Sequence, residues 1–149
     1  MNESFGGGCY CGDVRFEVTD IFDAGYCHCS ICRRLSGGAP VYVWACAPAE
    51  SFHITRGTPA CFASSETFNR YFCPRCGGHL FGKYRAPAPD ATALVWFGVF
   101  TLDAPQAIRP TVHMWCSSKV PYFDIIDDLP RFADGTLSHP STRRTWRAG

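Results

Sequence analysis

The chain has 149 residues and a mass of 16.5 kDa, the size of one domain able to bury its own core. Hydrophobic residues make up 46% and charged residues 18%, which excludes a disordered polar chain. Fourteen Lys and Arg against thirteen Asp and Glu leave a formal net charge of +1, too little for a basic field aimed at a phosphate backbone or an anionic bilayer.

In chain order, the start MNESFGGGCYCG lacks the basic n-region and apolar h-region of a secretory signal. The apolar run at 91–100 is shorter than the roughly 20 residues a membrane helix needs. A cytoplasmic protein is therefore expected, and in a reducing compartment its ten cysteines are better read as metal ligands than as disulfides. Seven of them fall in three tight clusters.

Cys9-Tyr10-Cys11-Gly12 leads into the alternating stretch 14–18, read as a strand. If the strand begins at the cysteines, residues i and i+2 share a face and both sulfurs can reach one ion. Cys27-His28-Cys29-Ser30-Ile31-Cys32 offers three thiolates within six residues, with a helical turn possible after Cys29 and His28 facing away from an ion. Strand-like runs follow at 40–44, 52–55 and 70–72, with a further helical turn near 47–51. Cys73-Pro74-Arg75-Cys76-Gly77-Gly78 reads as a zinc knuckle, Pro74 fixing one dihedral and Gly77 or Gly78 allowing a positive φ. Further strands are expected at 79–84, 94–100 and 111–115, with Gly- and Pro-rich turns at 36–40, 56–59 and 86–90. Asp127-Asp128-Leu129-Pro130 reads as a turn, and residues 135–149, with Arg143, Arg144 and Arg147, as a solvated tail behind a single domain at 1–134.

A C-x-C beside a C-P-x-C makes Cys9, Cys11, Cys73 and Cys76 a candidate closed zinc site with four thiolate ligands. Cys27, Cys29 and Cys32 then form a second site with one open position, as a catalytic zinc has. Spacing leaves two alternatives. Cys27 and Cys29 can pair with Cys73 and Cys76 instead, or a fourth ligand from Cys46, Cys61, Cys116 or a histidine can close the second site.

Four ordered motifs resemble the glutathione-dependent formaldehyde-activating enzymes and their centromere-protein-V relatives. They are Cys9-Tyr10-Cys11-Gly12-Asp13-Val14-Arg15-Phe16, Cys27 through Arg33 as C-H-C-x-x-C-R, Phe72 through Leu80 as F-C-x-x-C-G-x-x-L, and Asp127-Asp128-Leu129-Pro130-Arg131-Phe132. The resemblance implies a mainly β, Mss4-like (β-tent) fold of packed antiparallel sheets stapled by zinc. It implies two Zn2+ per chain, a structural one on Cys9, Cys11, Cys73 and Cys76 and a catalytic-type one on Cys27, Cys29 and Cys32. The implied activity is that of a carbon–sulfur lyase joining a small thiol such as glutathione to an aldehyde such as formaldehyde.

On that reading Arg33 and Arg34, beside the second cluster, are candidates to hold the carboxylates of the thiol substrate, with Arg70 and Lys119 as weaker ones. Tyr26, His28 and water are the candidate proton donors. Three thiolates make zinc a poor Lewis acid, so its expected task is to deliver a thiolate nucleophile. The competing readings are a non-catalytic zinc-stapled binding module and a thiol or redox sensor. No nucleic-acid or membrane partner is expected, and the sequence specifies no oligomeric state.

Overall fold

Strands with alternating side chains build two sheets, described here from a computed structural model that covers residues 3–85 and 94–135. The strands are β1 (Phe5–Gly8), β2 (Arg15–Val18), β3 (Asp23–Cys27), β4 (Tyr42–Pro48), β5 (Phe52–Arg56), β6 (Ala60–Ala63), β7 (Phe68–Phe72), β8 (His79–Tyr84), β9 (Leu94–Gly98) and β10 (His113–Met114). A single turn-and-a-half of helix, α1 (Ser30–Leu35), follows β3. Strands β1, β2 and β5 form a small antiparallel sheet, and the large sheet runs β10-β3-β4-β9-β8-β7-β6. The large sheet is mixed, because β10 joins its edge parallel to β3 while its other pairs are antiparallel. The protein is mainly β. Among the described residues no helix is long and apolar enough to cross a membrane.

Most strands form where alternation or β-branched and aromatic content favours them. The run at 79–84 is β8 itself, whereas the run at 40–44 starts two residues late and continues to Pro48. The apolar stretch beyond Gly98 leaves the sheet as a 3-10 turn at Val99–Thr101, and of 111–115 only His113–Met114 pairs. Strands β1, β3 and β6 carry too little β-forming sequence to be read in advance. In β1 the glycines serve close approach: a Cβ on Gly7 would lie 2.7 Å from the Thr101 carbonyl oxygen. The turn at 86–90, the start of the apolar run at 91 and the tail beyond residue 135 lie outside the described residues.

The small sheet packs on one face of the large one over an aromatic core. Phe16 of β2 stacks on Phe52 of β5 at 4.7 Å between centroids, and Phe52 meets Phe81 of β8 at 4.8 Å. Phe97 of β9 closes the cluster at 6.0 Å from Phe16 and 5.8 Å from Phe52. The period of two then dictates what lies on the other face. Along β4, Val43, Ala45 and Ala47 enter this core, while Trp44 and Cys46 join a second buried cluster with Cys27, Cys32 and Val112.

That second face is concave because glycines sit where its aromatic rings lie down. A Cβ on Gly25 would come 2.7 Å from Trp44, one on Gly98 3.0 Å from the Tyr42 hydroxyl, and one on Gly82 2.5 Å from Phe68 Cζ. Each value is below ordinary van der Waals contact, so these strands carry glycine despite its low β propensity. Gly82→Ala is accordingly expected to destabilise the protein by about 1–3 kcal/mol, the usual penalty of overpacking. A urea midpoint equal to that of the wild type would contradict this.

Candidate functional site

Four thiols meet between the two sheets. Cys9 and Cys11 lie in the connection between β1 and β2, and Cys73 and Cys76 in the connection between β7 and β8. Their sulfurs all lie within 4.8 Å of one another, with Cys9 to Cys11 at 3.6 Å and Cys11 to Cys73 at 3.7 Å. A zinc–sulfur bond of about 2.3 Å gives a tetrahedral edge of about 3.8 Å, whereas a disulfide requires about 2.05 Å. The donor set therefore fits a tetrahedral zinc. All ten cysteines are free thiols.

The local backbone differs from the reading that placed Cys9 and Cys11 on a strand. They sit in a turn, with Gly12 N–H donating to the Cys9 carbonyl at 3.2 Å and Gly12 at φ 79°. The second knuckle is one residue longer and also closes on a positive-φ glycine, Gly77 N–H donating to the Cys73 carbonyl at 2.9 Å with Gly77 at φ 75°. A positive φ is open to glycine without steric penalty, and it lets each chain fold back around its sulfurs. Val14 N–H donates to Cys9 Sγ at 3.3 Å, and backbone N–H groups of Cys11 and Gly78 help push the Cys76 thiol down to about 6. Arg75 joins Asp13 across the two turns at 3.1 Å, an exposed pair that contributes little.

The second cluster lies on the other face of the large sheet. Cys27 ends β3, Cys29 caps α1 with its sulfur accepting Cys32 N–H at 3.2 Å, and Cys32 lies in the first turn of the helix. The three sulfurs lie within 4.8 Å of one another, and among the described residues no fourth His, Cys, Asp or Glu joins them. The three thiols differ in acidity because they hydrogen-bond to one another. Cys29 accepts from Cys27 and Cys32 and is driven down to about 2, while Cys27, as their donor and buried, is pushed up.

Above these thiols opens a cavity of about 400 Å³. Tyr42, Trp44, Phe68, Tyr84, Trp96 and Met114 supply much of its wall, and Arg70 supplies a cation. The lining includes Cys27, Cys29, Cys32 and Cys46, so the open side of the three-thiol cluster faces into it. The four-thiol group lines no part of it.

A model of the family described as "Glutathione-dependent formaldehyde-activating enzyme" matches residues 4–118, three quarters of the chain and every clustered cysteine. The chain belongs to this family. It is 29% identical over 83 residues to a Halomonas elongata protein named "Putative glutathione-dependent formaldehyde-activating enzyme", a stretch that is 50% of this chain and 53% of the relative. The chain thus spans about half the length of that curated relative. The crystal structure of a Rhodobacter sphaeroides protein, 25% identical, superposes with a TM-score of 0.55 over 70% of this chain and 91% of that one.

In this member of the family the three-thiol segment is clamped from below. His28, fully buried, points away from the cavity and its Nε2 meets His113 Nδ1 at 2.9 Å. His113 Nε2 in turn meets Asp127 Oδ2 at 3.0 Å, and His113 stacks on Tyr26 at 4.6 Å. With His113 donating to the carboxylate, its Nδ1 accepts from His28. The His113 hydrogen bond holds the Asp127 carboxyl below its ordinary value, and burial, with His113 next to it, pushes His28 down to about 4. Asp127 also accepts Leu129 N–H at 3.0 Å, so the turn expected there is present and carries the histidine as well. The family match ends at residue 118, and the Asp127–His113 contact was not legible in either segment taken alone.

The arginines divide differently from their sequence positions. Arg33 donates to the His28 carbonyl at 2.6 Å and the Ser118 carbonyl at 2.5 Å, which secures the chain on either side of the cluster. Neither Arg33 nor Arg34 is among the described residues lining the cavity. Lys119 donates to the Val120 and Phe123 carbonyls at 3.1 and 2.7 Å. Arg70 enters the cavity, with Nη2 at 3.6 Å from Cys32 Sγ, Nε on Ser64 Oγ at 3.2 Å and the guanidinium 4.9 Å over the Phe68 ring. Tyr26 and His28 do not line the cavity. Tyr42 does, and its hydroxyl has no partner among the described residues. Burial, then the Cys32 thiol, raise that hydroxyl above its ordinary value, so it stays protonated.

Behind Tyr42, His79 packs edge-on at 5.7 Å, and burial, then Arg70, depress its imidazole to about 4. A folded-state value below the unfolded one of about 6.5 means the unfolded chain takes up the proton first as pH falls. Stability from this group is complete above about pH 6.5 and declines toward pH 4, by at most about 1.4 kcal/mol per pH unit. His79→Phe is expected to flatten that part of the stability profile, and the His79 ring, followed by NMR, to remain neutral at about pH 5. A ring half-titrated near its ordinary value of about 6.5 would contradict it.

Proposed function

We propose that this chain is a zinc-dependent enzyme of the carbon–sulfur lyase kind, forming or cleaving a thiol–aldehyde adduct such as S-hydroxymethylglutathione at the three-thiol site. The observation that carries the reading is the difference between the two cysteine groups. Four thiols close on one another in paired turns, whereas three line a cavity large enough for a small molecule.

Cys9, Cys11, Cys73 and Cys76 would hold a structural zinc, and Cys27, Cys29 and Cys32 a second one with room for a further ligand. A zinc ion held by the three thiolates supplies a lowered thiol pKa, so that an incoming thiol is present as its reactive thiolate at neutral pH. The chain's own residues do the rest. Arg70, against Cys32, offsets the anionic charge of the thiolates, and the apolar part of the wall gives the reacting groups a less aqueous side. In adduct formation the sulfur–carbon bond forms as the carbonyl π bond opens, and the resulting oxygen takes a proton equivalent to the one lost by the thiol. No oxidation occurs. Tyr42 is the cavity hydroxyl suited to hydrogen-bond that oxygen, because it is protonated and unpartnered among the described residues.

A recessed site lined by three clustered thiols supports small-molecule catalysis over a macromolecule-binding module. Ten free thiols suit a cytoplasmic protein. A single catalytic unit over residues 1–134, with 135–149 as an accessory tail, completes the proposal.

Elemental analysis should find two zincs per chain, and Cys29→Ser should lose one while unfolding within about 1 kcal/mol of the wild type, as expected away from a folding site. Cys73→Ser should lose the other and melt well below both. NMR exchange of labelled formaldehyde with glutathione should be accelerated by the wild type and not by Cys29→Ser. Equal melting of the two variants, or unchanged exchange in Cys29→Ser, would defeat the assignment.

A further inference from the structure

The cavity is larger than formaldehyde needs. At about 400 Å³ it has the size of a site for a drug-like molecule, far beyond a two-heavy-atom aldehyde. Glutathione fills space, but it brings two carboxylates and an ammonium group to a wall that is mostly apolar and that already carries the Asp23 carboxyl. Among the described lining residues Arg70 is the sole cation. The aromatic rings brace one another: Phe68 meets Tyr84 edge-on at 4.8 Å, and Tyr84 meets Trp96 edge-on at 5.1 Å. Gly82, which Phe68 covers, pairs with both Trp96 and Arg70 across the sheet, so one shallow place in the floor has rings beside it and a guanidinium at its edge.

Arg70 is held ready for an anion. Ser64, Cys32 and the Phe68 ring fix its plane, and Nη1 carries no hydrogen bond among the described residues. Among those residues Arg70 also has no carboxylate partner. A guanidinium so placed prefers a carboxylate, bound by charge-assisted hydrogen bonds.

We infer that the carbonyl partner at this site is an aromatic aldehyde bearing a carboxylate, its ring against Phe68, Tyr84 and Trp96 and its carboxylate on Arg70. The inference rests on the thiol–aldehyde reading for the reaction, but its ligand chemistry can be tested apart from it. The thiolate sulfur adds to the aryl aldehyde carbon, the carbonyl oxygen takes a proton, and the product is an aryl hemithioacetal with no change in oxidation level. Arg70 touches Cys32, so the carboxylate and the reacting carbon lie toward the same side of the ring, which argues against a para arrangement and makes the meta isomer the probe.

The probe for binding is 3-(hydroxymethyl)benzoate, which cannot react, followed by quenching of tryptophan fluorescence in the zinc-loaded protein. It should bind about tenfold or more tightly than benzyl alcohol, the effect of one charge-assisted pair. Arg70→Gln, with its zinc content checked, should remove that margin by weakening the carboxylate ligand about tenfold more than benzyl alcohol. Trp96→Leu should weaken both ligands alike, and it serves if Arg70→Gln fails to fold. With glutathione present, 3-formylbenzoate should give a higher kcat/KM for adduct formation than formaldehyde. If the analogue shows no advantage over benzyl alcohol while formaldehyde exchange depends on Cys29, the ligand inference is overturned and the reaction stands. Arg70-dependent binding of the analogue, with no thiol adduct from any aldehyde, supports the ligand class and removes the reaction.

Discussion

Two hairpin turns from different sheets must bring four sulfurs into one tetrahedron, and the rest of the architecture follows from that constraint. One turn belongs to the small sheet and the other to the large sheet, so the thiol group joins layers that are otherwise held by the aromatic core of Phe16, Phe52, Phe81 and Phe97. Strand β2 continues from the first turn and β8 from the second, and both carry core phenylalanines. The turns and the core therefore specify the same register. Positive-φ glycines at Gly12 and Gly77 let both turns fold back, although one is a residue longer than the other.

With one face of the large sheet committed to that core, the other is free to be a site. The period of two sends Tyr42, Trp44 and Cys46 to it from β4, Phe68 and Arg70 from β7, and Tyr84 from β8. Glycines under the rings turn a pleated surface into a hollow. Cys27 arrives on the same face from β3, directly opposite Tyr42, and α1 carries Cys32 over the edge. The second thiol group is thus a consequence of strand pairing, while its stiffness comes from the His28–His113–Asp127 chain and from Arg33 beneath it. Such bracing suits the proposed substrate site, whose thiols would need to keep one geometry.

Much of this was legible in the residues. Clustered cysteines at chelating intervals are candidate ligands on local evidence alone, because two sulfurs a few residues apart can converge on one ion. Strand β8 and most of β2, β5 and β7 are visible from alternation and β-branched or aromatic content. Strands β1, β3 and β6 are not, because their pairing depends on partners far along the chain: Phe5–Gly8 is a strand only when β2 lies beside it. The turn that holds Cys9 and Cys11 was equally hidden, since a strand and a tight turn can both bring i and i+2 sulfurs together.

By itself the sequence determined the family, the mainly β class and which cysteines form local groups, all properties carried by residues within a few positions of each other. Tertiary structure decided which groups meet and what surrounds them. It joined residues 9–11 to 73–76 and left 27–32 apart, it set Asp127 on His113, and it carried Arg70 rather than Arg33 or Arg34 into the cavity. The physical reason is that a side chain's neighbours in a sheet are set by strand order and register, and these are long-range pairings that no local stretch of sequence encodes.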